Sequence, residues 1–269
     1  MYFILSRRDK KNKVEIISTN ETFRGKSYGE WIKSYMHWVM GESPDVYSRD
    51  NILYLRGSAR GQLYRGSTDV PINSATSLND PSVILMKTGP YGYTISKDTA
   101  VMFSPLFSFF ASNLGYKGKD LGSIDDVHNA AASEMDNSPV MFVNIYDESD
   151  RMQKLELFEG ENDLKSHMVE SPAFDLIVPE NSLLADKFDV PLTRGQEYYN
   201  VIVIGAFIIL RFTTPGKYQI DFGGVGDNSY STRSVYDIEV KGENFSRLTD
   251  VSKIVKKLGS KSFLDPPNP

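Results

Sequence analysis

The most regular hydrophobic pattern in the chain begins at Ser27-Tyr28-Gly29-Glu30, a capping-box arrangement that opens a helix. Trp31, Ile32, Tyr35, Trp38 and Val39 follow at helical spacing on one face, and Gly41 offers a left-handed exit. His37 lies between two aromatics of this stretch and reads as a packed structural histidine rather than a ligand. After the helix the pattern shortens to apolar or β-branched runs bounded by Gly, Pro, Asn and Asp, at residues 52–55, 83–87, 93–96 and 101–103. Residues 123–135 interrupt them as a second helix, capped by Ser123 with Asp126 at its third position. Strands resume at 140–146 and 152–158, joined by the polar hairpin connection 147–151, and then at 174–178 and 201–212.

The last strands alternate most cleanly. Tyr218, Ile220 and Phe222 interleave with Lys217, Gln219 and Asp221, and Tyr236, Ile238 and Val240 interleave with Asp237, Glu239 and Lys241. The Gly-rich stretch 223–228 connects the two. Many short strands with two internal helices and no βαβ alternation predict a mainly β fold, an antiparallel β-sandwich or jelly roll. At the start, residues 2–5 and 14–18 flank a basic segment and are expected to pair as a hairpin. At the end, Leu248, Val251, Ile254, Val255 and Leu258 recur at helical spacing before a Pro-rich terminus, giving a C-terminal helical tail. The expected organisation is thus an N-terminal hairpin extension over 1–24, a β-sandwich domain over 25–243, and a helix with a Pro-rich tail over 244–269.

Composition sharpens this picture by exclusion. The chain has no cysteine, which removes disulfides, thiolate metal sites and a cysteine nucleophile together. Its longest apolar run, residues 201–210, is ten residues, half of the ~20 that a spanning helix needs. The first residues place their short apolar stretch before the positive charges, the reverse of a signal peptide, so synthesis in the cytoplasm is expected.

Charge placement says more than the net value of -5. Residues 1–26 hold seven Lys or Arg against three acids, and residues 244–269 hold five against two, which leaves -12 on residues 27–243. Basic ends on an acidic body suit docking onto an acidic neighbour. A nucleic-acid module would instead carry a basic face across its body.

Known catalytic patterns do not emerge. His37, His128 and His167 are dispersed, Ser58 stands one position early for a nucleophile elbow, and 61–66 has phosphate-loop glycine spacing without the following Lys. Asp147, Glu148 and Asp150, or Glu159, Glu161 and Asp163, could gather oxygen ligands for Ca²⁺, but neither set fits the twelve-residue calcium loop. Tyr64, Tyr91, Tyr93, Tyr116 and Tyr230 sit in polar or Gly-rich segments and are the candidates for aromatic contact with a partner.

Several segments, in order, resemble a family of bacterial and archaeal proteins, mostly secreted, that open with a Trp-rich helix and close as a β-sandwich. They are residues 25–31 continuing to Trp38, 82–89, 93–106 with its Phe-x-Pro ending at Phe103, Ser104 and Pro105, 171–176 and 214–220. The likeness spans 25–241; the missing cysteines and signal peptide, the N-terminal hairpin and the C-terminal tail set this chain apart from the secreted members, and the family also resembles structural proteins of tailed phages that infect marine bacteria. That resemblance implies a non-enzymatic virion protein, decorating or cementing a capsid or attached to a tail, with no cofactor, metal or catalytic residue to carry over.

The expected partner-binding residues are Arg7, Arg8, Lys10, Lys11 and Lys13 at one end and Leu248, Val251, Ile254, Val255 and Leu258 at the other. Partners would be other virion proteins, capsid or tail subunits, in a homo-oligomeric assembly, with no direct nucleic acid and no membrane. The alternatives are a carbohydrate-binding β-sandwich module and a hydrolase using dispersed carboxylates.

Overall fold

A computed structural model describes residues 13–41, 51–55, 63–65, 83–85, 88–115, 120–136, 140–148, 153–155, 157–158, 161–180, 182, 185, 192–225 and 231–242. In chain order the elements are β1 (Val14–Ile16), α1 (Tyr28–Val39), β2 (Ile52–Tyr54), β3 (Leu63–Arg65), β4 (Val83–Leu85), β5 (Thr88–Ser96), β6 (Ala100–Phe110) and α2 (Ile124–Asp136). They continue with β7 (Val140–Asp147), β8 (Gln153–Leu155), α3 (Glu161–Lys165), β9 (Met168–Glu170), β10 (Phe174–Ile177), β11 (Glu197–Phe212), β12 (Gly216–Val225) and β13 (Ser231–Lys241). The protein is mainly β, with two principal sheets and few helices.

The 16-residue strand β11 is the spine of the six-stranded sheet. One edge of it carries β6 along most of its length. The other edge carries three short strands end to end: β10 opposite residues 197–201, β9 opposite 204–206 and β1 opposite 210–212. The five-stranded sheet runs β5-β13-β12-β7-β8, and β3 and β4 pair separately.

Pairing is not antiparallel throughout, which corrects the all-antiparallel expectation. β2 lies parallel to β6 and β5 parallel to β13. Parallel neighbours need a long crossover, and both pairs are far enough apart in sequence to supply one. A third helix, α3, also stands where the sequence suggested only an acidic cluster.

Two apolar clusters explain the layering. Phe103, Ile208, Leu210 and Phe212 of the larger sheet meet Ile145, Tyr218, Ile220, Phe222 and Ile238 of the smaller one. Phe103 and Phe222 have ring centroids 4.6 Å apart, and Phe212 and Tyr218 4.4 Å. The other face of the larger sheet takes α1, whose Trp31, Ile32, Tyr35, Met36, Trp38 and Val39 are all buried. Tyr35 sets its ring edge-on to both Phe107 and Phe207.

The capping box forms as the sequence predicts. Ser27 Oγ accepts from the Glu30 amide, and Glu30 Oε2 accepts from the Ser27 amide at 2.7 Å, which holds the Glu30 carboxyl below its usual range. Gly41 ends the helix at φ 96°, the left-handed exit that favours glycine. At Gly205, opposite Phe107, a Cβ would come within 2.5 Å of the Phe107 Cβ, so only glycine lets these strands approach.

The first turn of α1 is tied directly into the sheet. Ile17 donates its amide to the Ile209 carbonyl, and the next rung is closed by the Tyr28 hydroxyl. That hydroxyl donates to the Ile17 carbonyl at 2.8 Å and accepts the Ile209 amide at 3.0 Å. Burial pushes the Tyr28 phenol up to about 12, so it stays neutral and can fill both roles.

Residues 14–17 pair with β11 at the edge of the larger sheet, and Val14 and Ile17 are buried. The other half of the expected hairpin, residues 2–5, and the C-terminal helix over 244–269 lie outside the described residues.

Candidate functional site

Along one face, β11 passes through three successive environments. Ile208, Leu210 and Phe212 are covered by the smaller sheet. Further back, Ser108, paired with Ile204 on the face opposite Phe107, donates its hydroxyl to the Ala131 carbonyl of α2 at 3.0 Å, so α2 covers that stretch. At the start of the strand, Glu197 and Tyr199 are exposed, and Ile177 pairs with Glu197 from β10. Tyr199 is 46% exposed and Ile177 53%; with Ile124 they are the large hydrophobic side chains exposed among the described residues.

A local break in the pleat produces this exposure. Asn200 adopts φ 50°, where the β10–β11 register shifts between Phe174 and Leu176. A non-glycine residue in that region is uncommon, and here side chains support it. The Asn200 amide donates to Asp175 Oδ1 at 3.0 Å, and its Nδ2 donates to Ser112 Oγ at 3.0 Å. Because of the extra residue, Tyr198 and Val201 both enter the core while Tyr199 points out.

Asn113 then fixes the backbone beneath Tyr199. Its Nδ2 donates to the Glu197 carbonyl at 2.8 Å, and its Oδ1 accepts from the Tyr199 amide at 3.0 Å. Ser112 donates its amide to the Tyr199 carbonyl, and its own carbonyl accepts from Leu121 and Gly122, just ahead of Ile124 at the start of α2. Tyr199 and Ile177 thus lie together at one hydrogen-bonded corner of the sheet.

The Tyr199 hydroxyl donates to Glu197 Oε2 at 3.1 Å. That hydrogen bond, reinforced by the Glu197 charge and less by burial and Asp175, holds the phenol above its ordinary value. The corner offers a neutral aromatic face, an adjacent aliphatic group and the carboxylates of Asp175 and Glu197. Such a set can receive an ammonium or guanidinium over the ring, or stack and hydrogen-bond a sugar.

Arg7, Arg8, Lys10, Lys11, Leu248, Val251, Ile254, Val255 and Leu258 lie outside the described residues. Lys13, expected to meet a partner, reaches Asp147 of β7 at 2.5 Å and joins the two sheets. Its ammonium is committed within the fold because Asp147, 2% exposed, needs a nearby cation. Of the tyrosines, Tyr93 is half-buried and stacks at 5.9 Å on Tyr236, while Tyr116 and Tyr230 lie outside the described residues. Tyr64 and Tyr91 fall in β3 and β5.

The titratable clusters are also accounted for. Asp221, 8% exposed at its side chain, holds Arg233 in a two-pronged pair at 3.0 and 2.7 Å, which raises the guanidinium further. His37 packs on Phe174, His128 Nε2 lies 3.2 Å from Glu170, and His167 meets Phe158 edge-on. No group of three His, Asp or Glu side chains among the described residues is placed to hold a metal ion. No helix among the described residues is long and apolar enough to cross a membrane.

The Tyr199 corner was missed because adjacent Tyr198 and Tyr199 read as the mere beginning of an apolar run. The available signal was Asn200 after two aromatics, a residue that tolerates left-handed backbone, beside the alternating Asp175-Leu176-Ile177. No family model, curated protein or solved structure matches this chain.

Proposed function

We propose that this chain is a virion structural protein of a tailed phage: a β-sandwich, without enzymatic activity, that decorates or cements a capsid or attaches to a tail through its basic terminal segments. The observation that carries the reading is the charge layout, with basic residues gathered in 1–26 and 244–269 and -12 on the body between them. Lys13 adds to it. Its ion pair anchors the beginning of β1 to the body, so the basic stretch before it leaves from a fixed point. The resemblance to phage structural proteins agrees with this assignment. For the finer architecture, a sandwich is preferred to a jelly roll, because the β2–β6 and β5–β13 pairings are parallel.

The test is truncation after Gly242. The body should keep its melting temperature and fail to join particles; unfolding, or normal incorporation, would contradict the reading of the tail. A second reading, a carbohydrate-binding module, is favoured by Tyr199 with Glu197 and Asp175 beside it. Titration with oligosaccharides, read by Tyr fluorescence in native protein and Tyr199→Ala, separates the two.

A further inference from the structure

We infer that the Tyr199 corner is the acceptor for the basic N-terminal segment of a second copy of this chain, so that copies join head to tail. This rests on the assembly reading above and names the surface through which it would act. The chemistry is complementary: residues 7–11 carry Arg7, Arg8, Lys10 and Lys11 against one acid, Asp9. The corner presents the carboxylates of Glu197 and Asp175 around an exposed ring and Ile177. A guanidinium over that ring would gain cation–π attraction and the two carboxylate charges together.

Geometry decides that the donor is another copy. β1 pairs with residues 210–212 of β11, whereas the corner is at residues 197–199 of the same strand. From Phe212 to Tyr199 the strand covers about 40 Å at its usual rise per residue. Arg7 is six residues before the anchored Lys13, which limits its reach to about 20 Å of extended backbone. The basic segment therefore falls short of its own corner. A donor at one end of the sheet and an acceptor at the other make a heterologous contact, which closes into rings or propagates.

The experiment uses the full chain and sedimentation velocity at about 50 and 500 mM salt, a span over which exposed charges go from partly to strongly screened. Association should appear at low salt and weaken at high salt. Glu197→Lys, or Arg7→Glu with Arg8→Glu, should each weaken it at least about tenfold while melting is unchanged, and the combined reversal in one chain should restore it. Ile177→Lys, which leaves the Tyr199–Glu197 hydrogen bond in place and sets a like charge against the basic segment, gives a second loss-of-contact variant. A wild-type chain that stays monomeric, reversals without effect, or no restoration would overturn the inference. Sugar binding at Tyr199 with association unchanged would also overturn it. If the reversals abolish association while particles still take up the protein, the corner holds and the terminal-docking reading fails. If Glu197→Lys leaves association and uptake unaffected while Arg7→Glu with Arg8→Glu blocks uptake, the corner fails and the terminal-docking reading stands.

Discussion

Lys13 Nζ and Asp147 Oδ2 lie 2.5 Å apart and connect the edge of the larger sheet to the smaller one. Asp147 falls on the inward phase of β7, in line with the buried Val143 and Ile145. Its charge also helps, after burial, to push the neighbouring Tyr218 phenol up to about 12. That phenol donates to the Thr214 carbonyl at 2.9 Å, and Thr213 donates its amide to the Lys13 carbonyl. One corner between the sheets is thus built from a cation, a buried acid and a neutral phenol.

Lys13→Met should destabilise the protein by about 1–3 kcal/mol, below the cost of breaking a fully buried pair because the Lys13 side chain is 36% exposed. Urea unfolding of Lys13→Met, Asp147→Asn and the double variant checks this. The double variant should cost less than the two singles added together; strict additivity would mean that the pair does not interact.

Tyr28→Phe removes the hydroxyl that closes the rung between Ile17 and Ile209. Leaving a buried carbonyl and amide without that partner should cost about 2–4 kcal/mol. Amide exchange at Ile209 should accelerate in the variant, whereas unchanged protection would show that another group takes over.

Trp31 is fully buried, and its Nε1 donates to the Phe23 carbonyl at 2.9 Å. Trp31→Ala should cost about 3–5 kcal/mol as a large cavity in the core. Thermal melting decides it, and an unchanged melting temperature would mean that Trp31 does not hold the helix on the sheet.

The helix carrying Trp31 was the most legible part of the sequence, because its cap, apolar stripe and glycine exit are all local signals. The β12–β13 hairpin was legible for the same reason, since alternation and a Gly-rich connection suffice. What escaped was non-local. Asp147, which the sequence places in the polar connection 147–151, closes β7 instead and turns inward, and no local signal shows that Lys13, 134 residues away, would neutralise it. Nor could sequence show that three separate short strands share one edge of β11, or that a single left-handed Asn would turn Tyr199 outward.

His167 gives the fold a pH dependence with a defined sign. Burial lowers its pKa below the ordinary 6.5, opposed in part by the Asp163 charge. Its buried Nδ1 has no hydrogen-bond partner among the described residues, so protonation there is unrewarded. As pH falls below about 6.5 the unfolded chain takes up a proton that the folded chain resists, so the contribution is full at neutral pH and declines through the acid range. Urea midpoints should fall between about pH 7.5 and 5.5, and His167→Gln should flatten that slope. An equal slope in the variant would place the titration elsewhere.

The most direct measurement of the central claim is the sedimentation of the native protein from the cells or lysate in which it is made. As a virion component it should travel with large particles, resist their washing at low salt and be released as salt is raised. Recovery entirely as a free small species, with no particle fraction at any salt, would contradict the assignment.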